Sequence, residues 1–243
     1  MTRLGAVIGN DLRVQLRNGL YVIGAVVSVI IAAAMAWLAR PDQMALVAAA
    51  ALILIGGGST LLYVGAMIVF EKDEGTLRAI MVSPVTPSEY IGSKIATLTL
   101  ICLFETAIMV GGAFAAMALS GPVDPPNFLP LIAATIATGG IYTAIGIVLV
   151  VRFDTITAFL VPVSLVAIVL QLPFVYFAGI FPHPALLAIP TSAPAMLSLA
   201  AWRDLAGWEW GYSVGYTLLL VTGLSGWARA AFVRHVVGEG RAG

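Results

Sequence analysis

The stretch Phe70–Lys94, FEKDEGTLRAIMVSPVTPSEYIGSK, decides the fold. It lies between two long apolar runs and holds seven of the 24 charged residues, 12 acidic and 12 basic. Each such charge at the centre of a bilayer costs about 3 kcal/mol on an insertion scale. A mixed-charge island of this kind therefore belongs to solvent, tethered at both ends to membrane helices. Its internal chemistry predicts two helices joined by a turn. Glu71, Asp73 and Glu74 crowd the start, where acidic groups suit a helix N-terminus. Leu77, Ile80 and Met81 recur at i, i+3 and i+4, a narrow apolar face with Arg78 off it. Ser83-Pro84 ends that helix, because the proline ring disfavours αR in the residue before it. Thr86-Pro87-Ser88-Glu89 opens the next, with Thr86 as N-cap, Pro87 at the first helical position and Glu89 completing a capping box. No stop signal precedes Lys94, so this helix runs on into the next span.

Outward from this stretch the chain is overwhelmingly apolar. Of its 243 residues 60% are hydrophobic and only 10% charged, and the mean hydropathy is +1.03. Soluble domains carry about a quarter charged residues, so this is a polytopic membrane protein. The single Cys102 sits in an apolar run, excludes a disulfide within one chain, and reads as a small buried hydrophobe. Two lysines against ten arginines, with abundant Ala, Val and Gly, accord with a GC-rich bacterial source.

Residues 1–18 place Leu4, Ile8, Leu12 and Leu16 every four positions among Arg3, Asp11, Arg13 and Arg17. This predicts an amphipathic helix on the cytoplasmic membrane surface, its arginines near anionic lipid. Ala34-Met35-Ala36 mimics a signal-peptidase site, but the apolar run from Leu20 to Ala39 has the length of a span and is expected to be retained. Further spans are predicted at about 45–70, 95–119, 128–151, 155–180 and 212–228. Gly56-Gly57-Gly58, Gly65, Gly139 and Gly140 mark close helix contact or a local bend, and Pro162 and Pro173 predict kinks in the fifth span. Residues 181–210 carry Pro182, Pro184, Pro190 and Pro194 and form a non-spanning external segment. In it, Pro194–Trp202 is expected as a short helix with proline at N1, and Trp202, Trp208, Trp210 and Tyr212 suit an interfacial belt. No internal repeat or interdomain linker is visible, so residues 1–243 read as a single transmembrane domain.

Six spans put both termini on one side. With that side cytoplasmic, Arg3, Arg13, Arg17, Lys72, Arg78, Lys94, Arg152, Arg229, Arg234 and Arg241 lie inside and only Arg40 and Arg203 outside, as the positive-inside rule requires. The sequence Glu71-Lys72-Asp73-Glu74-Gly75-Thr76-Leu77, then Ser83-Pro84, Tyr90 and Gly92-Ser93-Lys94, resembles the first cytoplasmic loop of type-2 ABC transporter permeases. The whole chain is similar to that family in its N-terminal amphipathic helix, six spans and external segment. It departs from larger members in lacking an extended domain between the first two spans. The resemblance implies an all-α fold with a cytoplasmic coupling helix at 71–94 and short re-entrant external helices before the last span.

It also implies partners and a site. A separate ABC ATPase subunit would receive the 71–84 loop. Gly75 would allow close backbone approach, Thr76 and Leu77 would touch the partner, Glu71, Asp73 and Arg78 would form rim ion pairs, and Ser83 and Pro84 would close the loop. A second permease chain, identical or not, would complete a dimer in the cell membrane. The chain has no G-x-x-x-x-G-K-[ST] loop, the only Gly-Ser-Lys lacking its upstream glycine. It has no H-E-x-x-H, C-x-x-C or G-x-S-x-G, and His183 and His235 fall on opposite predicted sides. The expectation is a non-catalytic subunit with no cofactor or metal of its own, ATP being bound by the partner, and with no nucleic-acid partner. Glu105 is the one acid deep in a span, a translocation-path or proton-relay candidate, or else a hydrogen-bonded packing residue. Two functions stay open: an ATP-driven exporter of a hydrophobic drug or lipid, and an ion-gradient carrier or channel built on Glu105.

Overall fold

The computed structural model describes residues 3–119 and 121–237, apart from the side chains of Arg78, Met81 and Val237. All regular structure among the described residues is helical. Helix α1 (Arg3–Arg17) turns at Gly19, in the left-handed region at φ 72°, into α2 (Leu20–Leu38). Then follow α3 (Pro41–Asp73), the short α4 (Thr76–Val82), α5 (Pro87–Ala118), α6 (Phe128–Val150), α7 (Ile156–Phe177), the short α8 (Ser192–Leu199) and α9 (Gly207–Val236). Helices α2, α3, α5, α6, α7 and α9 are each long and apolar enough to cross a membrane.

Helix α6 is the central post, buried along most of its length among α3, α5, α8 and α9. Apolar burial drives no association between helices in lipid, so close approach of small residues carries the packing. A Cβ on Gly139 of α6 would lie 2.9 Å from the Cα of Thr99 on α5. A Cβ on Gly146 would lie 2.1 Å from Val64 of α3, and one on Gly65 of α3 would lie 2.1 Å from the Phe159 ring of α7. The expected bend at the glycine triplet is a widened π turn, Leu52–Gly57. The Tyr142 ring of α6 occupies the space a Cβ on Gly57 would need, at 2.3 Å, and its hydroxyl donates to the Ile53 carbonyl at 3.2 Å. Thr60 returns its hydroxyl to the Gly56 carbonyl at 2.7 Å. The backbone acceptors loosened by the π turn are thus satisfied inside the bundle, as a membrane interior demands.

Four expected boundaries shift. Helix α3 runs to Asp73, so Glu71 and Asp73 close one helix instead of opening another. Helix α7 keeps Pro162 inside but breaks before Pro173, and Thr191 caps the Leu170 carbonyl at 2.5 Å. Helix α8 starts at Ser192, two residues before Pro194; proline is tolerated there because first-turn N–H groups have no intrahelical partner. Helix α9 starts at Gly207, not Tyr212, because Glu209 reaches back to the Ala206 N–H at 2.8 Å and is held by Arg203 at 2.7 and 3.0 Å. The non-spanning segment is correspondingly shorter than 181–210. From α9 the hydroxyls of Tyr212 and Tyr216 each donate at 2.5 Å to carbonyls of this segment, those of Leu187 and Ala188 respectively. Helix α8 is buried throughout against α6 and α9.

Two glycine substitutions separate close packing from mere glycine content. Gly139→Ala meets the α5 backbone and is expected to lower thermal stability in detergent and the yield of monodisperse protein. Gly58→Ala, with nothing within 4 Å of its Cβ, is expected to leave both unchanged or improved, because Ala is the better helix former.

Candidate functional site

Helix α4 is a seven-residue projection between α3 and α5 at the end of the bundle that also holds α1 and the α6–α7 turn. Gly75 joins it to α3 with φ 71° and ψ 1°. A non-glycine residue pays about 1–2 kcal/mol in this left-handed region, so its glycine serves the turn itself. Ser83 ends α4: its hydroxyl donates to the Ile80 carbonyl at 2.6 Å and accepts from the Val85 N–H at 3.3 Å. The capping box at Thr86 and Glu89 opens α5 as expected, with reciprocal bonds of 2.8 and 3.3 Å.

The residues proposed for partner contact divide between two faces. Leu77 is only 3% exposed and packs into the core formed with α3, α5, α6 and α7. It anchors α4 from inside and offers no outer surface. Glu71 is likewise turned inward. Asp73, Glu74, Thr76, Ala79, Val82 and Pro84 are exposed, Val82 at 89%. Arg78 lies on α4 with its side chain outside the described set, and Arg241 lies outside the described residues altogether.

Glu71 is turned inward by a buried ionic seam that joins three helices. Lys94 of α5, with 0% side-chain exposure, donates to Oδ1 of Asp11 on α1 at 2.7 Å and to Oε1 of Glu71 on α3. Ser93 donates to the other Asp11 oxygen at 2.6 Å, and the Tyr90 hydroxyl to the other Glu71 oxygen. The Lys94 ammonium also lies 5.1 Å from the centroid of the Tyr90 ring, which stacks on Phe232 of α9 at 4.9 Å. Every carboxylate oxygen therefore has a donor. One turn further along, Gln15 of α1 donates to the Met67 sulfur of α3 at 3.5 Å. Lys72, next to Glu71, points the other way. Its ammonium donates to the carbonyls of Val151 and Phe153 at 3.3 and 2.7 Å and pairs with Asp154 at 3.3 Å, so it meets the negative end of α6.

The seam was readable as periodicity. Tyr90, Ser93, Lys94 and Thr97 stand at i, i+3, i+4 and i+7 on α5, and Asp11 and Gln15 at i and i+4 on α1. All six are buried. Helix α1 consequently packs by its polar face and leaves Leu4 and Leu16 exposed, so it is docked onto α5 as well as amphipathic.

Glu105 lies elsewhere, in α5 between α2 and α3. It is 1% exposed and accepts from Ser59 at 2.5 Å and Tyr63 at 3.0 Å. A Cβ on Gly24 of α2 would come within 2.5 Å of its Oε1, and among the described residues it makes no ion pair. A packing role and a proton-handling role both fit this geometry. At the opposite end of the bundle Asp42, Tyr176, Phe177, Met196, Arg203 and Trp208 line a cleft of about 400 Å³.

Six apolar helices, with the short helix α4 between the second and third, make a multi-pass membrane bundle, and its relatives make the chain an ABC-type permease, the transmembrane subunit. The chain belongs to the fluoroquinolones export permease protein family, whose model matches residues 2–240. It is 34% identical over 178 residues to the fluoroquinolones export permease proteins of two Mycobacterium tuberculosis strains, CDC 1551 / Oshkosh and ATCC 25618 / H37Rv. The aligned part covers 72% of this chain and 72% of each relative. The chain is thus an export permease subunit and a multi-pass membrane protein.

The two faces of α4 give opposite expectations. Leu77→Asp buries a charge in the core and is expected to lose several kcal/mol of stability, seen as loss of the monodisperse peak. Val82→Asp is expected to change stability by less than about 0.5 kcal/mol. Gly75→Ala falls between them, at about 1–2 kcal/mol, read from the melting temperature in detergent.

Proposed function

We propose that this chain works as one half of a permease dimer whose transport is driven by a separately encoded ATPase, and that the outer face of α4 is the docking surface for that ATPase. The observation that carries the reading is the two-sidedness of α4. Its outer face presents Thr76 and Val82, flanked by exposed Asp73, Glu74 and Pro84 in the adjoining turns, while Leu77, Glu71 and Lys72 tie its base to α3, α5 and α6. A push on the outer face would reach three spans with little slack. ATP-driven closure of two ATPase subunits would then switch the permease pair between inward- and outward-facing states. The α4 end would face the cytoplasm, as the ten-to-two distribution of basic residues favours. Helix α1 would lie at the lipid interface with Leu4 and Leu16 towards acyl chains, and α8 would be re-entrant from outside.

For cargo, the relatives' names point to fluoroquinolones, planar aromatic molecules bearing a carboxylate and an amine. The cleft at the α8 end has a size typical of small-molecule sites. Its aromatic walls suit a flat molecule, while its charged groups are already paired, Asp42 with Arg40 and Arg203 with Glu209.

The test is affinity purification of the tagged chain from its native membrane, followed by fluoroquinolone uptake into inverted vesicles. The expected result is co-purification of an ATPase with a phosphate-binding loop, its loss in Val82→Asp, and ATP-dependent uptake. If the chain purifies alone and moves drug under a proton gradient, with Glu105→Gln inactive, the gradient-driven carrier replaces this reading.

A further inference from the structure

The seam of Asp11, Lys94 and Glu71 holds more groups than α4 needs to stay attached. Leu77 already anchors α4 in the core, and Lys72 already binds α3 to the end of α6. What the seam adds is α1. Asp11 and Gln15 are the buried polar contacts of that helix, and both face the α3–α5 junction. The N-terminal end of α1 also meets the α4–α5 turn, where Arg3 donates to the Pro84 carbonyl at 3.4 Å. Leu4 lies 4.0 Å from where a Cβ on Gly92 would stand. From α1 the chain passes through Gly19 directly into α2, whose Gly24 backs onto Glu105.

We propose that Lys94 is a positioning residue for transport: by holding Asp11 and Glu71 together it makes α1, α4 and the adjoining ends of α3 and α5 move as one body. A displacement of α4 is thereby carried into α2 through α1. The inference rests on the ATPase reading above. The charge count supports a positioning role over a purely cohesive one. Two carboxylates, with 4% and 12% side-chain exposure, share one fully buried ammonium, and buried ion pairs cost in desolvation about what they return in attraction. An apolar contact would hold α1 at lower cost. A shared ammonium gives a fixed register among three helices, because displacing any one of them leaves a buried charge unpaired.

Asp11→Asn tests this without orphaning a charge. It leaves Lys94 and Glu71 as a one-to-one pair, and its single amide oxygen can keep only one of the two bonds that Asp11 accepts from Lys94 and Ser93. The complex of permease and ATPase is reconstituted in vesicles, and drug transport and ATP hydrolysis are measured together. The expected result is normal assembly and near-normal ATP hydrolysis, with drug moved per ATP lowered about fivefold or more. Joining α1 to α5 by a short thiol cross-linker in the Leu4→Cys/Gly92→Cys background is expected to restore the ratio to within about twofold of wild type. A ratio unchanged in Asp11→Asn, or one lowered and not restored by the cross-link, overturns the proposal and leaves the seam a packing device. ATP hydrolysis and transport that fall together through loss of the ATPase overturn it as well. Absence of ATP-driven transport in the wild-type complex would instead bring down the ATPase reading itself, and this inference with it.

Discussion

A lysine ammonium with no solvent exposure needs a complete set of partners, and that requirement organises one end of this protein. Lys94 finds Asp11 and Glu71 on two other helices, and those carboxylates draw in Ser93 and Tyr90 from its own. Removing one partner from a buried pair commonly costs about 3–5 kcal/mol, because the remaining charge is stranded. Hence α1 cannot leave α5, nor the end of α3 swing away, without a penalty comparable to a large part of a domain's stability. Tyr90 extends the constraint by stacking on Phe232, which explains why α9 continues well past its apolar run.

Between the ends, cohesion is of another kind. Lipid tails compete equally for apolar side chains, so the spans are held by shape and by internally satisfied backbone. Gly139 lets α5 and α6 approach to backbone contact, and Gly146 and Gly65 receive Val64 and Phe159. The widened turn of α3 would be a defect in isolation. Here Tyr142 donates to the Ile53 carbonyl and Thr60 to that of Gly56, which leaves the one hydroxyl proton of Ser59 for Glu105 at 2.5 Å. The π turn thus places a hydroxyl where an intramembrane acid needs a donor.

Much of this was legible in the residues. Six apolar runs give six spans, and Thr86-Pro87-Ser88-Glu89 gives the start of α5 to the residue, because a capping box is a local hydrogen-bond exchange that no distant contact overrides. The direction of Leu77 and the fate of Glu71 were less accessible. An exposed-looking i, i+3, i+4 face on a loop helix fits a partner or the protein's own core equally well, and only the third dimension chooses. Glu71 looks like an N-terminal acid because the cluster around it is acidic. Its true place at the end of α3 is tolerable only because Lys94, 23 residues later, neutralises it. The amphipathic pattern of α1 carried half of its placement: Leu4 and Leu16 stay exposed, while Asp11 and Gln15 decide where it docks.

Glu71 and Lys72 are neighbours on the last turn of α3, about 100° apart around the helix axis, and their side chains leave in different directions. Glu71 clamps α5 and, through Lys94, reaches Asp11 of α1; Lys72 clamps the end of α6 and the turn after it. A seven-residue helix on a single glycine hinge would ordinarily transmit little force, since the hinge would absorb it. With both sides of its base held by buried or half-buried charges and Leu77 set in the core, α4 has little freedom except with the helices it is clamped to. Rigidity at this one point, not length or charge in α4, is what would fit it to the coupling role proposed above.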